Sequence, residues 1–147
     1  MTTKTPLKYA RNTVHGVNVT LKRNTIDEDA LRYFNQGQCH ALAYALHKKL
    51  DLPMIWLECP FWGYITHCAV ELPNGEYIDI TGIHDPKDFG YEVHSVPNPQ
   101  AFIDSCVTGA TDDDDLEWAT PDMYLAHHFA NLIINDHALD IAELMTY

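Results

Sequence analysis

Cys39, His67 and Asp79 are residues of the three types that act together in nucleophilic catalysis by a thiol. Cys39 follows a break at Gly37 and begins a stretch in which apolar residues recur at helical spacing, so we place it in the first turn of a helix. Unpaired backbone N–H groups and the positive end of the helix dipole favour a thiolate there. Such a nucleophile also needs a base within hydrogen-bond reach.

A predicted hairpin brings His67 and Asp79 together. Pro73, Asn74 and Gly75 suit a three-residue loop, a type I turn with proline at its first central position and glycine in the left-handed position. His67 and Asp79 then lie on one face, diagonally across two strands, with their backbones about 7–8 Å apart. A two-residue loop would instead bury Asp79 among apolar residues, which is costly. The three-residue loop leaves the opposite face uniformly apolar, with Cys68, Val70, Leu72, Ile78 and Ile80.

These three residues predict a nucleophile, a base and an orienting acid. His67 takes the proton of the Cys39 thiol, and the Asp79 carboxylate fixes the tautomer of the ring and stabilises its charged form. An oxyanion would be bound by the backbone N–H of Cys39 together with a nearby donor, for which Gln36 and Gln38 are the candidates.

An aromatic segment precedes the His67 strand and contains Phe61, Trp62 and Tyr64. Aromatic side chains commonly form pocket walls, so these three residues are candidates for the lining of a substrate groove. Packing of the same segment against the sheet is the alternative interpretation, and the sequence favours neither.

The order and placement of these residues resemble the transglutaminase-like branch of the papain-like cysteine enzymes. That family shares the pattern G-x-C-x-x-x-A, then a strand reading H-x-x-x-E, a turn with glycine and a strand that ends in Asp. This chain reads GQCHALA over 37–43, HCAVE over 67–71, NG at 74–75 and YID over 77–79. The resemblance covers residues 36–82 and implies amide hydrolysis or acyl transfer through a thioester at Cys39, without a metal or organic cofactor.

Two positions depart from the family pattern. Ala69 stands where an aromatic residue often follows the histidine, and no arginine precedes the middle strand, where Leu52 and Pro53 stand instead. Neither position is catalytic, but both weaken any inference about the substrate. A protein, a peptide, a glutamine side chain and a small amide therefore all remain open as substrates.

The helix of Cys39 and the hairpin of His67 fit an α+β order of elements. We predict N-terminal helices packed on a small antiparallel sheet, followed by C-terminal helices, in one domain over residues 1–147. Thr25 is the predicted N-cap of the first helix and Thr120 that of the last, with Pro121 at its first position. The predicted elements are a strand within 1–24, helices over 25–34 and 39–50, strands over 53–59, 65–72 and 76–81, a loop over 82–99, a helix over 100–107, and a helical pattern over 123–145 broken near Asn135 and Asp136.

The charge balance excludes several classes of partner. Nine Lys and Arg residues stand against 21 Asp and Glu, a net charge of −12. A protein that neutralises phosphates or docks on an anionic membrane carries clustered positive charge, so we expect no nucleic-acid or membrane partner. The first residues lack an apolar signal segment, and we expect a cytoplasmic protein. The sequence predicts no oligomeric state.

Cysteine and histidine residues also raise the question of metal binding. The four cysteines, Cys39, Cys59, Cys68 and Cys106, show no CxxC spacing, so we expect free thiols, of which Cys39 is reactive and the others lie in the core. A site made of Cys39, His67 and Cys68 is disfavoured because Cys68 points to the opposite strand face. His84, Asp85 and His94 offer nitrogen and oxygen donors but match no ligand motif. We therefore expect no metal.

The main alternative to an enzyme is a non-catalytic binding or inhibitory protein of the same fold that uses its negative charge. Two acidic clusters, over 27–29 and 112–115, would contribute to a surface that imitates nucleic acid. A solvated loop is the simpler interpretation of residues 112–115, since they lack the alternating ligands and the glycine of a calcium-binding loop.

Overall fold

In the computed structural model, residues 10–14, 17–22, 24–61, 64–108, 118 and 120–146 are described. They form an α+β fold, as the sequence predicts. Along the chain, two helices precede the strands of the main sheet and three helices follow them. The elements are β1 (Ala10–Val14), β2 (Val17–Leu21), α1 (Glu28–Gln36), α2 (Cys39–Leu50), β3 (Met54–Cys59), β4 (Tyr64–Glu71), β5 (Tyr77–Asp79), β6 (Gly82–His84), a 3-10 turn (Pro86–Phe89), β7 (Glu92–Ser95), α3 (Pro99–Thr108), α4 (Met123–Asp136) and α5 (Ala138–Leu144).

Five of the strands form one antiparallel sheet in the order β6-β5-β4-β3-β7. Strands β1 and β2 pair separately as a hairpin, where the sequence predicts a single short strand. Buried Val19 and Leu21 on β2 anchor that hairpin in the core formed with α1, α2 and α4. The β4 and β5 strands lie inside the five-stranded sheet, so His67 and Asp79 lie away from its edges.

The hairpin between β4 and β5 has the predicted register. Glu71 lies opposite Tyr77, and Gly75 has the positive φ of 92° that the left-handed position requires. The Gly75 N–H donates to the carbonyl of Leu72 at 3.0 Å, and the Leu72 N–H donates to the carbonyl of Glu76 at 2.8 Å. The turn chemistry therefore fixes which strand positions face each other, as it does in short hairpins generally.

Helix α2 spans the predicted residues and lies at the centre of the molecule. Leu42 and Leu46 are fully buried in the core that the helices form against one face of the sheet, together with Ile78 of β5 and Phe129 of α4. The helix ends at Leu50. Its C-cap residue, Asp51, adopts the left-handed conformation and donates its N–H to the carbonyl of His47. A helix buried on several sides is held rigidly, and its first residue is Cys39.

Two predicted helix caps are wrong by two residues. Helix α1 begins after Asp27, not Thr25, and the Asp27 carboxylate accepts from the Ala30 N–H at 3.0 Å. Helix α4 likewise begins after Asp122 rather than Thr120. In both cases an aspartate two residues further along provides the cap, a residue type as good as threonine or better. The predicted break near Asn135 is confirmed, because α4 ends at Asp136 and α5 begins at Ala138.

Residues 82–99, predicted to be a loop, contain the strands β6 and β7. All four residues of β7 are exposed, so the segment has none of the apolar alternation that marks a strand in sequence. It is held by pairing with β3, in which Ile55 lies opposite Ser95 and Glu58 opposite Glu92. This pairing depends on the tertiary fold, and the local sequence does not encode it.

Candidate active site

Cys39 is the first residue of α2, and Gln38 is its N-cap. At this position the backbone N–H has no acceptor within the helix, and such an N–H is a donor of the kind an oxyanion needs. The side chain is 6% exposed and packs with Ala43, Met54 and Cys68 in a small apolar cluster. The thiol is therefore held between the start of α2 and the sheet.

His67 and Asp79 form a direct hydrogen bond across the two central strands. His67 Nε2 lies 2.7 Å from Asp79 Oδ2, and each residue is only 5% exposed. The hairpin register predicted that these side chains would meet, and they do. Because Asp79 occupies Nε2, the other ring nitrogen, Nδ1, is left for a different partner.

A bulge in β4 lies directly beside His67. Leu57 of β3 is opposite His67, but the next residue, Glu58, is opposite Ile65, so Thr66 is an extra residue in the β4 strand. Bulges bend a strand and redirect the side chains next to them. The bulge therefore interrupts the simple alternation of side chains directly before His67.

The Cys39 thiol is the second partner of His67, and the two form a hydrogen bond. Although burial alone lowers the pKa of a histidine, the hydrogen bonds with Asp79 and Cys39 raise the pKa of His67 to about 10. A hydrogen bond with Cys68, followed by those with His40 and His67, holds the pKa of Cys39 well below its usual range despite burial. Both shifts favour a thiolate beside an imidazolium.

Thr81 fixes the orientation of the Asp79 carboxylate. Its backbone N–H and its hydroxyl both donate to Asp79 Oδ1, at 2.8 Å and 2.6 Å. Burial opposes ionisation, but the hydrogen bonds from His67 and Thr81 lower the pKa of Asp79. Asp79 is thus a carboxylate with one oxygen held by Thr81 and the other on the His67 ring.

Two further residues neighbour the nucleophile, Cys68 and His40, and their hydrogen bonds lower the pKa of Cys39. Cys68 faces away from the predicted His67 face, as expected, but α2 packs against that side and brings Cys39 onto it. Strand alternation therefore does not separate Cys68 from Cys39. Neither neighbour was predicted from sequence, although each is next in sequence to a member of the predicted triad.

Gln38, one of the two oxyanion candidates, is engaged with the segment that precedes α4. Its Nε2 donates to the carbonyl of Thr120 at 3.0 Å, and its Oε1 accepts from the Asp122 N–H at 2.8 Å. One Nε2 proton is left for a further acceptor, so the oxyanion role of Gln38 stays a prediction. Gln36 ends α1, but its side chain lies outside the described part of the structure.

The three aromatic groove candidates have different outcomes. Phe61 is 84% exposed in the turn between β3 and β4. The alternative interpretation, that this segment packs against the sheet, is therefore wrong for Phe61. Trp62 and the side chain of Tyr64 lie outside the described residues. A separate aromatic group lies near the nucleophile, where Trp118 contacts His40 with ring centroids 5.1 Å apart.

The metal-binding alternatives do not involve the triad. Among the described residues, one group of ligating side chains lies close enough to share an ion, Glu58, Glu92 and His94, at the surface on β3 and β7. His94 Nε2 is 2.7 Å from Glu58 Oε1, so a hydrogen bond accounts for that contact. His84 lies on β6, at the opposite edge of the sheet from His94, which separates the donors considered from sequence.

The acidic cluster over 27–29 is used within the fold. Asp27 caps α1, and the Asp29 carboxylate accepts from the backbone N–H of Thr20 on β2 at 3.1 Å. These two carboxylates therefore have structural partners, which weakens the idea that the cluster serves as a nucleic-acid mimic. The second cluster, residues 112–115, lies outside the described residues.

Within the described part of the chain, no helix is both long enough and apolar enough to cross a bilayer. Comparison with known proteins adds no identification: no protein-family model, no curated protein and no solved structure matches this chain.

Proposed function

We propose that the protein is a cysteine-dependent amide hydrolase or acyltransferase that acts through a thioester at Cys39. The observation that carries this proposal is the buried hydrogen-bonded chain from Asp79 through His67 to Cys39. Buried ionisable groups are costly unless they are paired, and this arrangement prepares a thiolate at a helix start with a proton donor beside it. Strongly shifted pKa values in such a group are typical of functional sites.

The proposed reaction uses each residue once in each half of the cycle. The Cys39 thiolate attacks the substrate carbonyl, and its own backbone N–H donates to the oxyanion that forms. His67 gives its Nδ1 proton to the leaving amine, and the C–N bond breaks to leave an acyl thioester on Cys39. A water molecule or an acceptor amine then attacks the thioester while His67 takes its proton, and the Cys39 thiolate is released. Asp79 keeps the ring in the tautomer that both steps need.

The α+β order, with the thiol at a helix start and the other two residues on adjacent strands, supports a fold of the transglutaminase-like, papain-like type. The sequence resemblance over residues 36–82 supports the same proposal. We further propose a cytoplasmic location, because none of the four cysteines is in a disulfide, which is typical of a reducing compartment. The proposed substrates are protein, peptide or small amides.

The proposed thioester is tested with an activated ester, p-nitrophenyl acetate. We expect a burst of nitrophenolate, an acetyl group on Cys39 in the intact-mass spectrum, and its removal by hydroxylamine, which cleaves thioesters. Cys39→Ala abolishes the adduct, and His67→Ala slows its formation at least a hundredfold, since general acid–base catalysis contributes about 10²–10⁴. Cys106→Ser is the matched control, because this buried cysteine lies outside the triad.

Two results contradict the proposal. The first is acetylation of Cys59 or Cys106 at the same rate as Cys39. The second is an unchanged rate at Cys39 in the His67→Ala variant, provided that the variant unfolds at a temperature close to that of the wild type.

A further inference from the structure

Cys68 lies against the nucleophile without a part in the proposed reaction. It follows His67 on β4, is 1% exposed, and packs in the same apolar cluster as Cys39. One is on a helix and the other on a strand, and the packing of α2 on the sheet brings their thiols close enough for each to shift the pKa of the other. Two cysteines that are distant in sequence but packed together in the fold are the arrangement from which a disulfide forms.

The two sulfurs differ in their protonation. Burial, followed by the hydrogen bond with Cys39, raises the pKa of Cys68 well above its usual range, while the pKa of Cys39 is lowered. Cys68 therefore keeps its proton and donates it to the Cys39 thiolate. An oxidant reacts with a thiolate in preference to a thiol, so the first oxidation falls on Cys39.

We propose that Cys39 and Cys68 form a reversible disulfide, with Cys68 as the resolving thiol that switches off the nucleophile under oxidation and protects it from irreversible damage. The predicted loss of activity on oxidation rests on the proposed function. The disulfide itself is a property of two neighbouring thiols and can be measured without any substrate.

The oxidant is a hydroperoxide, and two steps balance the reaction. The Cys39 thiolate attacks hydrogen peroxide, the O–O bond breaks, and a sulfenic acid and hydroxide form. The hydroxide takes the Cys68 proton and becomes water, the Cys68 thiolate attacks the sulfenic sulfur, and the S–O bond breaks to release hydroxide as the S–S bond forms. Overall the two sulfurs lose two electrons, and the peroxide gains them. A dithiol reductant reverses the reaction by thiol–disulfide exchange.

Cys106 is the competing partner and provides the control. It lies on α3 and is close enough to Cys68 to influence its pKa, but it is not among the groups that set the pKa of Cys39. Cys59, at the end of β3, belongs to neither group. The geometry therefore assigns the pair as Cys39 with Cys68, and a bond from Cys39 to Cys106 is not expected.

The test is a peptide map of the peroxide-treated protein under non-reducing conditions. Trypsin leaves Cys59 and Cys68 in one peptide, so the map is made in a Cys59→Ser background. We expect a linked pair of peptides containing Cys39 and Cys68, two hydrogens lighter than their sum, and full recovery of Cys39 alkylation with dithiothreitol. In the Cys68→Ser variant we expect Cys39 to proceed to sulfinic acid, with at least a tenfold smaller recovery. Cys106→Ser behaves like the background protein.

A linked peptide between Cys39 and Cys106, or sulfinic acid at Cys39 with Cys68 present and no disulfide, overturns the inference. The map of the Cys59→Ser protein is decisive even if Cys68→Ser fails to fold. Failure of this inference and failure of the proposed function are separable. A disulfide without ester turnover removes the enzyme proposal alone, and ester turnover without a disulfide removes the redox proposal alone.

Discussion

The substitution Asp79→Asn changes the proton arrangement of the site without changing its shape. In the wild-type protein the N–H and the hydroxyl of Thr81 both donate to Asp79 Oδ1. An asparagine therefore keeps its carbonyl oxygen toward Thr81 and turns its NH2 group toward His67 Nε2. That nitrogen must then accept a hydrogen bond and cannot carry a proton. The variant ring then carries a proton on Nδ1 alone, so His67 faces Cys39 as a neutral donor that cannot take the thiol proton.

The expected loss follows from these contacts. A base in the wrong tautomer forfeits general acid–base catalysis, which contributes about 10²–10⁴ in rate. That range corresponds to about 3–5 kcal/mol of transition-state stabilisation. Thr81→Val is the matched control, since it removes the two hydrogen bonds of the Thr81 hydroxyl, with Asp79 and with His84, each at 2.6 Å, but leaves the His67 tautomer and the carboxylate charge in place. We expect it to lower the rate by less than tenfold.

The assay is the rate of Cys39 acetylation by p-nitrophenyl acetate at pH 7, measured alongside thermal unfolding. We predict a fall of about 10²–10⁴ for Asp79→Asn, with Thr81→Val close to the wild type. If Asp79→Asn keeps the wild-type rate, or if Thr81→Val loses as much activity, the assigned tautomer and the orienting role of Asp79 are wrong.

Four other changes have defined outcomes. Because the pKa of Cys39 is lowered, its alkylation by iodoacetamide should fall less than tenfold between pH 8 and pH 6, whereas free cysteine falls nearly a hundredfold; equal losses refute the thiolate. Gln38→Ala removes two hydrogen bonds, at 3.0 and 2.8 Å, and should lower the free energy of unfolding in urea by about 1–3 kcal/mol; an unchanged midpoint contradicts its role in holding the segment before α4. Leu46→Ala in the core should cost about 2–5 kcal/mol by the same measurement. Leu139→Ala, at a side chain that is 87% exposed, should change stability by less than about 0.5 kcal/mol.

The parts of the site that could be predicted from sequence depend on local rules. Helical spacing and the break at Gly37 place Cys39 at a helix start, and the turn residues around Gly75 set the register that joins His67 to Asp79. Both signals lie within a few residues of the feature they determine. They operate before any tertiary contact forms, so the sequence alone contains them.

The remaining features depend on how distant elements pack. The extra residue at Thr66 cannot be recognised from the pattern of apolar residues in the sequence. The β7 segment is a strand only because it pairs with β3. The contact of Cys68 with Cys39 follows from the side of the sheet that α2 covers. A period of two along a strand gives its two faces, but it does not say which face receives the helix.

We expect Cys39 and His67 to form an ion pair at neutral pH. The most direct measurement is the nitrogen NMR spectrum of the His67 ring, assigned by comparison with His67→Gln, in the reduced wild-type protein at pH 8. Since its hydrogen bonds with Asp79 and Cys39 raise the pKa of His67 to about 10, we predict that both ring nitrogens carry protons. A neutral ring at pH 8, with a proton on one nitrogen only, would contradict the account.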